Sequence, residues 1–386
     1  MADAYIVETV RTAGGRRNGA LRDWHPANLG AEVLNALVDR AGIDGAVIDD
    51  VIVGCVTQAG EQSFAFGRNC VLASKLPQSV PAVTIDRQCG SSQQAVQFAA
   101  QAVMSGTQDV IVAMGVESMT RVPMMSNVTL HAKAGLGDGP FSDRIEARFG
   151  TRHFSQFTGA EMIAHKYGFN REQLDAYALE SHKRATIARD EGRFDAEIVP
   201  LAVEGGVHAH DEGIREDATL ESISSVKLLQ PDGMISAANA SQICDGAAAV
   251  LIVSDAALKK YNLTPKARIV NLTVTAGDPV IMLEEPLPAT DRGMARAGMK
   301  IDDIDLFEVN EAFAPIPMAW LKHTGADPER LNVNGGAIAL GHPLGASGAR
   351  LMTTLVHSLH ARGKKFGLQT MCEGGGIANV TIIEAV

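Results

Sequence analysis

The sequence predicts an α/β fold made of two related βα halves, with a segment of different texture inserted between them. Three observations carry that prediction. Short β-branched apolar runs alternate with helical periods along most of the 386 residues. One stretch near the start is echoed near the end. Between Met119 and Cys244 the alternation gives way to glycine turns and a concentration of histidines.

The strand candidates are Val51-Ile52-Val53, Val83-Thr84-Ile85, Val110-Ile111-Val112, Val250-Leu251-Ile252-Val253, Leu306-Phe307 and Thr381-Ile382-Ile383. Helical faces lie between them, such as Val33, Leu34, Leu37, Val38, Ala41 and Ala95, Phe98, Ala99, Ala102, Val103. Sheets covered by helices follow from that order. The echo pairs Arg40-Ala41-Gly42-Ile43 with Arg296-Ala297-Gly298-Met299, and Ile48-Asp49-Asp50 with Ile301-Asp302-Asp303. Each copy reads helix, glycine stop, strand. Each then continues to a small-residue turn (Cys89-Gly90-Ser91-Ser92; Gly345-Ala346-Ser347-Gly348), an apolar helix and another strand. The middle stretch holds six of the eleven histidines, the turn Gly135-Leu136-Gly137-Asp138-Gly139 and one clear helix around Glu172 to Glu191. Long connections of this kind are usually functional. The predicted organisation is therefore residues 1–118 with 245–265 as the first half, 119–244 as an inserted loop domain, and 266–386 as the second half.

The net charge of −11 and the lack of a basic tract argue against nucleic acid as a partner. The run Tyr5-Ile6-Val7 is too short for an export signal. The uncharged stretch Gln88 to Gln108 carries Gln93, Gln94, Gln97 and Gln101, so it predicts a soluble helix rather than a membrane span. Five scattered cysteines without a C-x-x-C pair predict reduced thiols in a cytoplasmic protein and no metal site. The His208-Ala209-His210 pair is expected to face solvent.

Four features can carry chemistry. Cys89 follows a strand and precedes a helix opening at Gly90-Ser91-Ser92; it is either an inert buried thiol or a nucleophile whose thiolate the helix N-terminus favours. His342 sits in the glycine-dense stretch Gly335 to Gly348, which has neither a P-loop ending nor a dinucleotide fingerprint. Standing before Pro343, it is held out of helical geometry, as a site residue or as a buried structural histidine. Cys372-Glu373-Gly374-Gly375-Gly376 reads as a plain turn or as a backbone that aims N–H groups at a ligand. Asn310-Glu311-Ala312-Phe313 ends the Leu306-Phe307 strand, where Asn310 faces a ligand or caps a helix.

Together these features resemble the thiolase family from end to end. The resemblance is carried by Val10-Arg11-Thr12, Asp86-Arg87-Gln88-Cys89-Gly90-Ser91-Ser92, Gly115-Val116-Glu117-Ser118-Met119, Gly192-Arg193-Phe194, Glu197-Ile198-Val199-Pro200, Asn239-Ala240-Ser241, Asp245-Gly246-Ala247-Ala248-Ala249, Asn310-Glu311-Ala312-Phe313, Gly341-His342-Pro343 and Cys372-Glu373-Gly374-Gly375-Gly376. It implies a five-layered α-β-α-β-α core with an inserted loop domain. It also implies an acetyl-CoA C-acyltransferase (3-ketoacyl-CoA thiolase) using coenzyme A as co-substrate, with no permanently bound cofactor. Cys89 matches the acyl-accepting nucleophile, His342 its base, and Cys372 the acid/base that serves the enolate carbon and the coenzyme A thiol. His342 with Asn310, through a water, matches one oxyanion site; the N–H groups of Cys89 and Gly374 match the other. Ser241 matches a pantetheine contact and Met282 an acyl-group contact. Arg215 is either a contact to the adenine nucleotide end or a solvated surface charge. A homodimer or homotetramer is expected on the same ground.

The chain departs from the family in informative places. Ser155-Gln156 stands where many acetoacetyl-CoA thiolases have His-Met, which points away from a pocket restricted to short acyl groups. Met282-Leu283-Glu284-Glu285-Pro286 keeps the family's methionine without its two glycines, Cys244 replaces a common Asn, and Glu373 replaces a common apolar residue. Biosynthetic formation of acetoacetyl-CoA is the alternative, and a non-catalytic acyl-CoA or lipid-binding relative a more distant one. A ketoacyl synthase is set apart by Cys372, the second cysteine.

Overall fold

In the computed structural model, which describes residues 2–386, nine strands of one eleven-stranded sheet make up two halves, and Gly15–Arg16 and Ile198–Val199 add two short strands to the first. The first runs Ala82–Ile85, Asp50–Gly54, Val110–Ser118, Cys244–Ser254, Ala4–Thr12. The second runs Leu306–Val309, Phe366–Glu373, Ile377–Ala385, Ala267–Ala276. They join only where Tyr5 pairs with Arg268 and Ile6 with Ala267, antiparallel. A parallel bridge from Phe307 to Leu331 stands where Ala82–Ile85 stands in the first half. The fold is thus the duplicated five-layer arrangement expected from the sequence.

Helices Pro26–Ala41 and Phe66–Ala73 cover the outside of the first sheet, and Pro286–Ala297 and Pro315–Thr324 that of the second. Proline near the start and a left-handed glycine at the end bound two of them in the same way: Pro26 with Gly42 (φ 66°), Pro286 with Gly298 (φ 67°). Ser91–Ser105 and Ser347–Ala361 form the central layer between the sheets. Ala95, Ala99 and Ala349 keep those two helices slim, and Ile6, Ile111, Ile252, Ile269 and Ile383 pack around them. Each buried isoleucine contributes roughly 1.5–3 kcal/mol. Of the glutamines that exclude a membrane reading, Gln93, Gln94 and Gln97 lie inside this layer, Gln93 Nε2 donating to Gln369 O (3.1 Å) and Gln97 Nε2 to Val380 O (3.0 Å), while Gln101 is exposed. No helix among the described residues is long and apolar enough to cross a membrane.

The structure sharpens the internal repeat. Asp49 Oδ2 accepts the N–H groups of Asp109 and Val110, and Asp305 Oδ2 those of Lys365 and Phe366. Ile48 and Ile304 are both buried beside them. The true partner of Asp49 is therefore Asp305, not Asp302, and the spacing that pairs Gly42 with Gly298 also pairs Ser91 with Ser347 and Glu117 with Glu373.

Between Ser118 and Cys244 the chain folds into the helices Ser126–Ala134, Asp143–Phe149, Gln156–Tyr167, Arg171–Asp190 and Leu220–Ser224 and the hairpin Leu201–Val203 with Gly206–His208. Of these helices only Arg171–Asp190 is evident in the sequence. Gln156–Tyr167 packs on Pro315–Thr324, with Phe157 edge-on to Phe313 at 5.6 Å.

Candidate active site

The two central helices abut at their first turns. Ala349 N–H donates to Ser92 Oγ (2.9 Å), and a Cβ on Gly348 would lie 2.0 Å from Gln93 N. Only glycine permits that approach. It brings together the turn before one helix, which holds Cys89, and the loop before the other, which holds His342. The strand ends at Asn310 and Cys372 close the same region, with Asn310 N–H bonded to Thr370 O on the neighbouring strand (3.1 Å).

His342 is buried. Its Nδ1 lies 2.5 Å from Ser347 Oγ, which in turn donates to Pro343 O (2.9 Å). A hydroxyl has one proton to give, so Nδ1 carries the imidazole proton and Nε2 remains an acceptor. Asn310 Nδ2 faces Nε2 at 3.4 Å, and Asn310 Oδ1 is buried without a partner. Asn310 caps no helix; its amide faces His342. Burial, with the Arg350 guanidinium adding to it, pushes the His342 pKa down to about 3. The imidazole is neutral at physiological pH, with Nε2 unprotonated.

Cys89 packs among Val56, Met119, Leu344 and Met371. The expectation that the helix N-terminus favours its thiolate does not hold. Burial, with a further contribution from Glu373, pushes the thiol up to about 12, because lost hydration outweighs the helix dipole. At neutral pH the Cys89 thiol therefore keeps its proton. Cys372 is fully buried, and burial together with the charge of Cys89 raises its pKa, so the two thiols are close enough to influence each other's ionisation.

The triple glycine has two packing reasons. A Cβ on Gly374 would meet the Gln88 side chain at 2.8 Å, and one on Gly376 (φ 75°) would meet Asp278 O at 2.7 Å. Ile377 then opens the last strand. Gly277 N–H bonds to Gly376 O (2.7 Å), which seats the following loop, including buried Met282 at φ 58°, against the glycines. Ser241 is half-buried; its N–H bonds to Ala312 O (2.9 Å), and the carbonyl of the next residue, Gln242, accepts the His342 N–H (2.9 Å). Ser241 thus lies between the Asn310 segment and the His342 loop. Arg215 stands apart, exposed on the inserted segment, its N–H bonded to His182 Nδ1 (3.2 Å).

His208 is not solvent-facing. It is buried, with Nε2 3.1 Å from Ala13 O, and the described residues contain no metal-binding group of His, Cys, Asp and Glu. Cys55 and Cys70 are buried packing residues, Cys70 Sγ filling the space beside Gly30. Cys244 packs against Gly341 (φ 84°), where a Cβ would meet the Cys244 Cβ at 2.6 Å, and so shapes the entrance to the His342 loop. Sequence reading missed Ser347 as the partner of His342; its place opposite Ser91 in the repeat is the signal that singles it out.

Residues 4–256 match the family description "Thiolase, N-terminal domain" and residues 263–385 "Thiolase, C-terminal domain". The chain belongs to the thiolase family. It is 50% identical, over its whole length and 94% of the relative, to the steroid 3-ketoacyl-CoA thiolase FadA6 of Mycobacterium tuberculosis. Its structure superposes on the acetyl-CoA acetyltransferase of Bacillus anthracis with a TM-score of 0.92 at 35% identity, covering 100% and 99% of the two chains. It superposes on human mitochondrial 3-ketoacyl-CoA thiolase in complex with CoA with a TM-score of 0.89 at 36% identity, covering 100% and 98%. As a thiolase it is an acyltransferase that uses CoA as co-substrate.

Proposed function

We propose that this thiolase cleaves 3-oxoacyl-CoA thioesters with CoA through an acyl-Cys89 intermediate. The observation that supports the reading is the abutting of the turn that holds Cys89 with the loop that holds His342, whose ring Asn310 faces, while Cys372 lies close enough for Cys89 to raise its pKa. His342 Nε2 takes the Cys89 proton, and the thiolate attacks the 3-oxo carbon. The bond between C2 and C3 breaks, leaving a thioester on Cys89 and an enolate of acetyl-CoA, which the Cys372 thiol protonates. The Cys372 thiolate then takes the proton of an incoming CoA thiol, whose sulfur attacks the acyl group and releases Cys89. Covalent capture divides carbon–carbon cleavage into two easier steps. The unpartnered Asn310 Oδ1 supports a water between the amide and one thioester oxygen, and the N–H groups of Cys89 and Gly374 suit the other. Ser241 fits a pantetheine contact, Met282 the acyl group and Arg215 the nucleotide end of CoA.

Ser155 and Gln156 at the start of the helix facing Phe313, and the kinship with a steroid thiolase, support an acyl group larger than acetyl. A panel of 3-oxoacyl-CoAs from four carbons to fused rings, assayed with CoA, tests this; preference for acetoacetyl-CoA overturns it. The edge strand Ala82–Ile85, with exposed Val83 and nearby exposed Phe64 and Leu72, supports a homo-oligomer built on that edge. Light scattering giving the mass of one chain, 40.8 kDa, overturns that. Five free buried thiols support work in a reducing, cytoplasmic setting. The strands Val110–Ser118 and Cys244–Ser254 that bracket the inserted segment support the boundaries at 118–119 and 244–245, and the start of Ala267–Ala276 supports the one at 265–266.

A further inference from the structure

Glu117 and Glu373 occupy equivalent places in the two halves. Glu117 follows, on its strand, the Val110 N–H that Asp49 accepts; Glu373 follows at the same spacing the Phe366 N–H that Asp305 accepts. Each carboxyl rests on the small residue leading into the opposite central helix. A Cβ on Gly345 would meet Glu117 Oε2 at 2.8 Å, and one on Gly90 would meet Glu373 Oε1 at 1.9 Å. Their bonding differs sharply. Glu117 accepts from Val56 N–H (2.9 Å), Thr57 N–H (3.0 Å), Gly345 N–H (2.9 Å) and Gln62 Nε2 (3.1 Å). Glu373, fully buried, takes donors only from Asn379, whose side-chain amide, turned to satisfy both its neighbours, lies 3.1 Å from Oε1. Its Oε2 has no partner. The repeat equates Gly345 with Cys89, so the N–H that Glu117 binds in one half is the Cys89 N–H that Glu373 leaves free in the other.

We propose that Glu373 is a fourth titratable member of the active centre, beside Cys89, His342 and Cys372, a carboxylic acid whose protonated state permits Cys89 to ionise. This rests on the reading of Cys89 as nucleophile. A buried carboxyl with so few donors is poorly stabilised as an anion. Burial accordingly raises its pKa well above the usual carboxylate range, against the lowering influence of Arg87. The charged and titratable groups facing it are Arg87 and Cys89 from the turn before the central helix and Cys372 from its own strand; the neighbouring strand and helix offer the amides of Asn379 and Gln94. A second negative charge in this enclosure costs more than the first, so Cys89 and Glu373 titrate as a coupled pair. Glu373 is a positioning residue: it reaches the reaction through the charge on Cys89.

The test is the rate of Cys89 alkylation by iodoacetamide from pH 6 to 10, with peptide mapping, in the natural chain and in Glu373→Gln. Gln is neutral at every pH and nearly the same shape. Above the pH at which Glu373 ionises, the natural chain is expected to lag the variant by about tenfold, the effect of one like charge a few ångströms away. Superimposable profiles overturn the inference while leaving the nucleophile reading intact. Labelling of another cysteine with loss of activity overturns that reading instead. Glu117→Gln is the structural control: its carboxylate is held by four donors and weighs less on Cys89 than Glu373 does, so it is expected to lower the melting temperature and to shift the alkylation profile less than Glu373→Gln. A Glu117→Gln profile that moves like that of Glu373→Gln also counts against the inference.

Discussion

The entrances to the two central helices share a backbone and divide the chemistry. In the repeat, Asp86-Arg87-Gln88-Cys89 corresponds to His342-Pro343-Leu344-Gly345. The first entrance offers a thiol at its last position, where the second has glycine. The second offers an imidazole at its first position, where the first has Asp86, whose Oδ1 accepts the Gln88 N–H (2.7 Å) to hold its own turn. Ser91 and Ser347 open the helices and likewise diverge: Ser91 Oγ accepts the Arg87 N–H (2.9 Å), whereas Ser347 Oγ takes up His342 Nδ1. Duplication supplies two helix starts that must touch, and the site arises where equivalent positions ceased to be chemically equal. Substitutions at the two entrances put that division at risk.

The largest effect belongs to the cysteines. Cys89→Ala is expected to abolish acyl-enzyme formation and to lower turnover by roughly a thousandfold or more, since removing the nucleophile disables the unit that works with it. Cys372→Ser is expected to form acyl-Cys89 from a simple acyl-CoA, yet to turn over 3-oxoacyl-CoA roughly a hundredfold more slowly, the size of a general acid/base contribution. Rapid-quench mass spectrometry separates the two. A Cys372→Ser protein without acyl-enzyme, or one with near-normal thiolysis, would show that the cysteines are not divided in this way.

Next comes the hydroxyl that orients the base. Ser347→Ala removes the acceptor of the His342 Nδ1 proton, so the imidazole loses its fixed tautomer and orientation. A fall in kcat of roughly 10- to 100-fold is expected, as for other groups that orient a working histidine. Ser91→Ala, the same change at the other entrance, is expected to leave the imidazole signals of His342 unmoved. Because the His342 pKa is lowered, the ring takes a second proton only well below its ordinary 6.5. Nitrogen NMR should accordingly find it neutral and protonated at Nδ1 from pH 8 down to pH 5. A transition near pH 6.5 would contradict the buried, hydrogen-bonded placement.

Much of this is legible in the sequence, for physical reasons that differ by region. The alternation of Val110-Ile111-Val112 with the Ala95, Ala99 face reflects burial, which leaves a periodic trace. Gly42 and Gly298 mark helix ends because a left-handed cap favours glycine. The helices of the inserted segment leave little trace: Ser126–Ala134 and Asp143–Phe149 bury none of their residues, so nothing imposes an apolar period on them. The ionisation of Cys89 does not follow from its place before a helix, which is local, because burial by Met119, Leu344 and Met371 comes from distant parts of the chain. Ser347 and Glu373 are likewise invisible as contacts, since each acquires its meaning only when a strand end and a helix start from different parts of the fold meet.

The smallest effect expected is on stability, and it sets the two entrances against each other most directly. An added methyl at Gly345 would meet backbone, Cys55 Cα at 2.7 Å and Gly54 O at 2.8 Å, as well as Glu117. Backbone within a sheet cannot retreat. The three atoms nearest an added methyl at Gly90 all belong to the Glu373 side chain, which can be removed. Both Gly345→Ala and Gly90→Ala are expected to destabilise by about 1–3 kcal/mol, the usual range for overpacking. The difference lies in rescue. Combining Gly90→Ala with Glu373→Ala vacates the space the methyl needs, so the pair should be more stable than the sum of the single changes predicts. Gly345→Ala with Glu117→Ala should show no such recovery, because the backbone contacts remain and Val56, Thr57 and Gly345 lose their acceptor. Urea unfolding of the two double-mutant cycles measures this coupling. Equal recovery in both cycles would mean that the carboxyls hold the two entrances alike, and the asymmetry drawn from their hydrogen bonds would be lost.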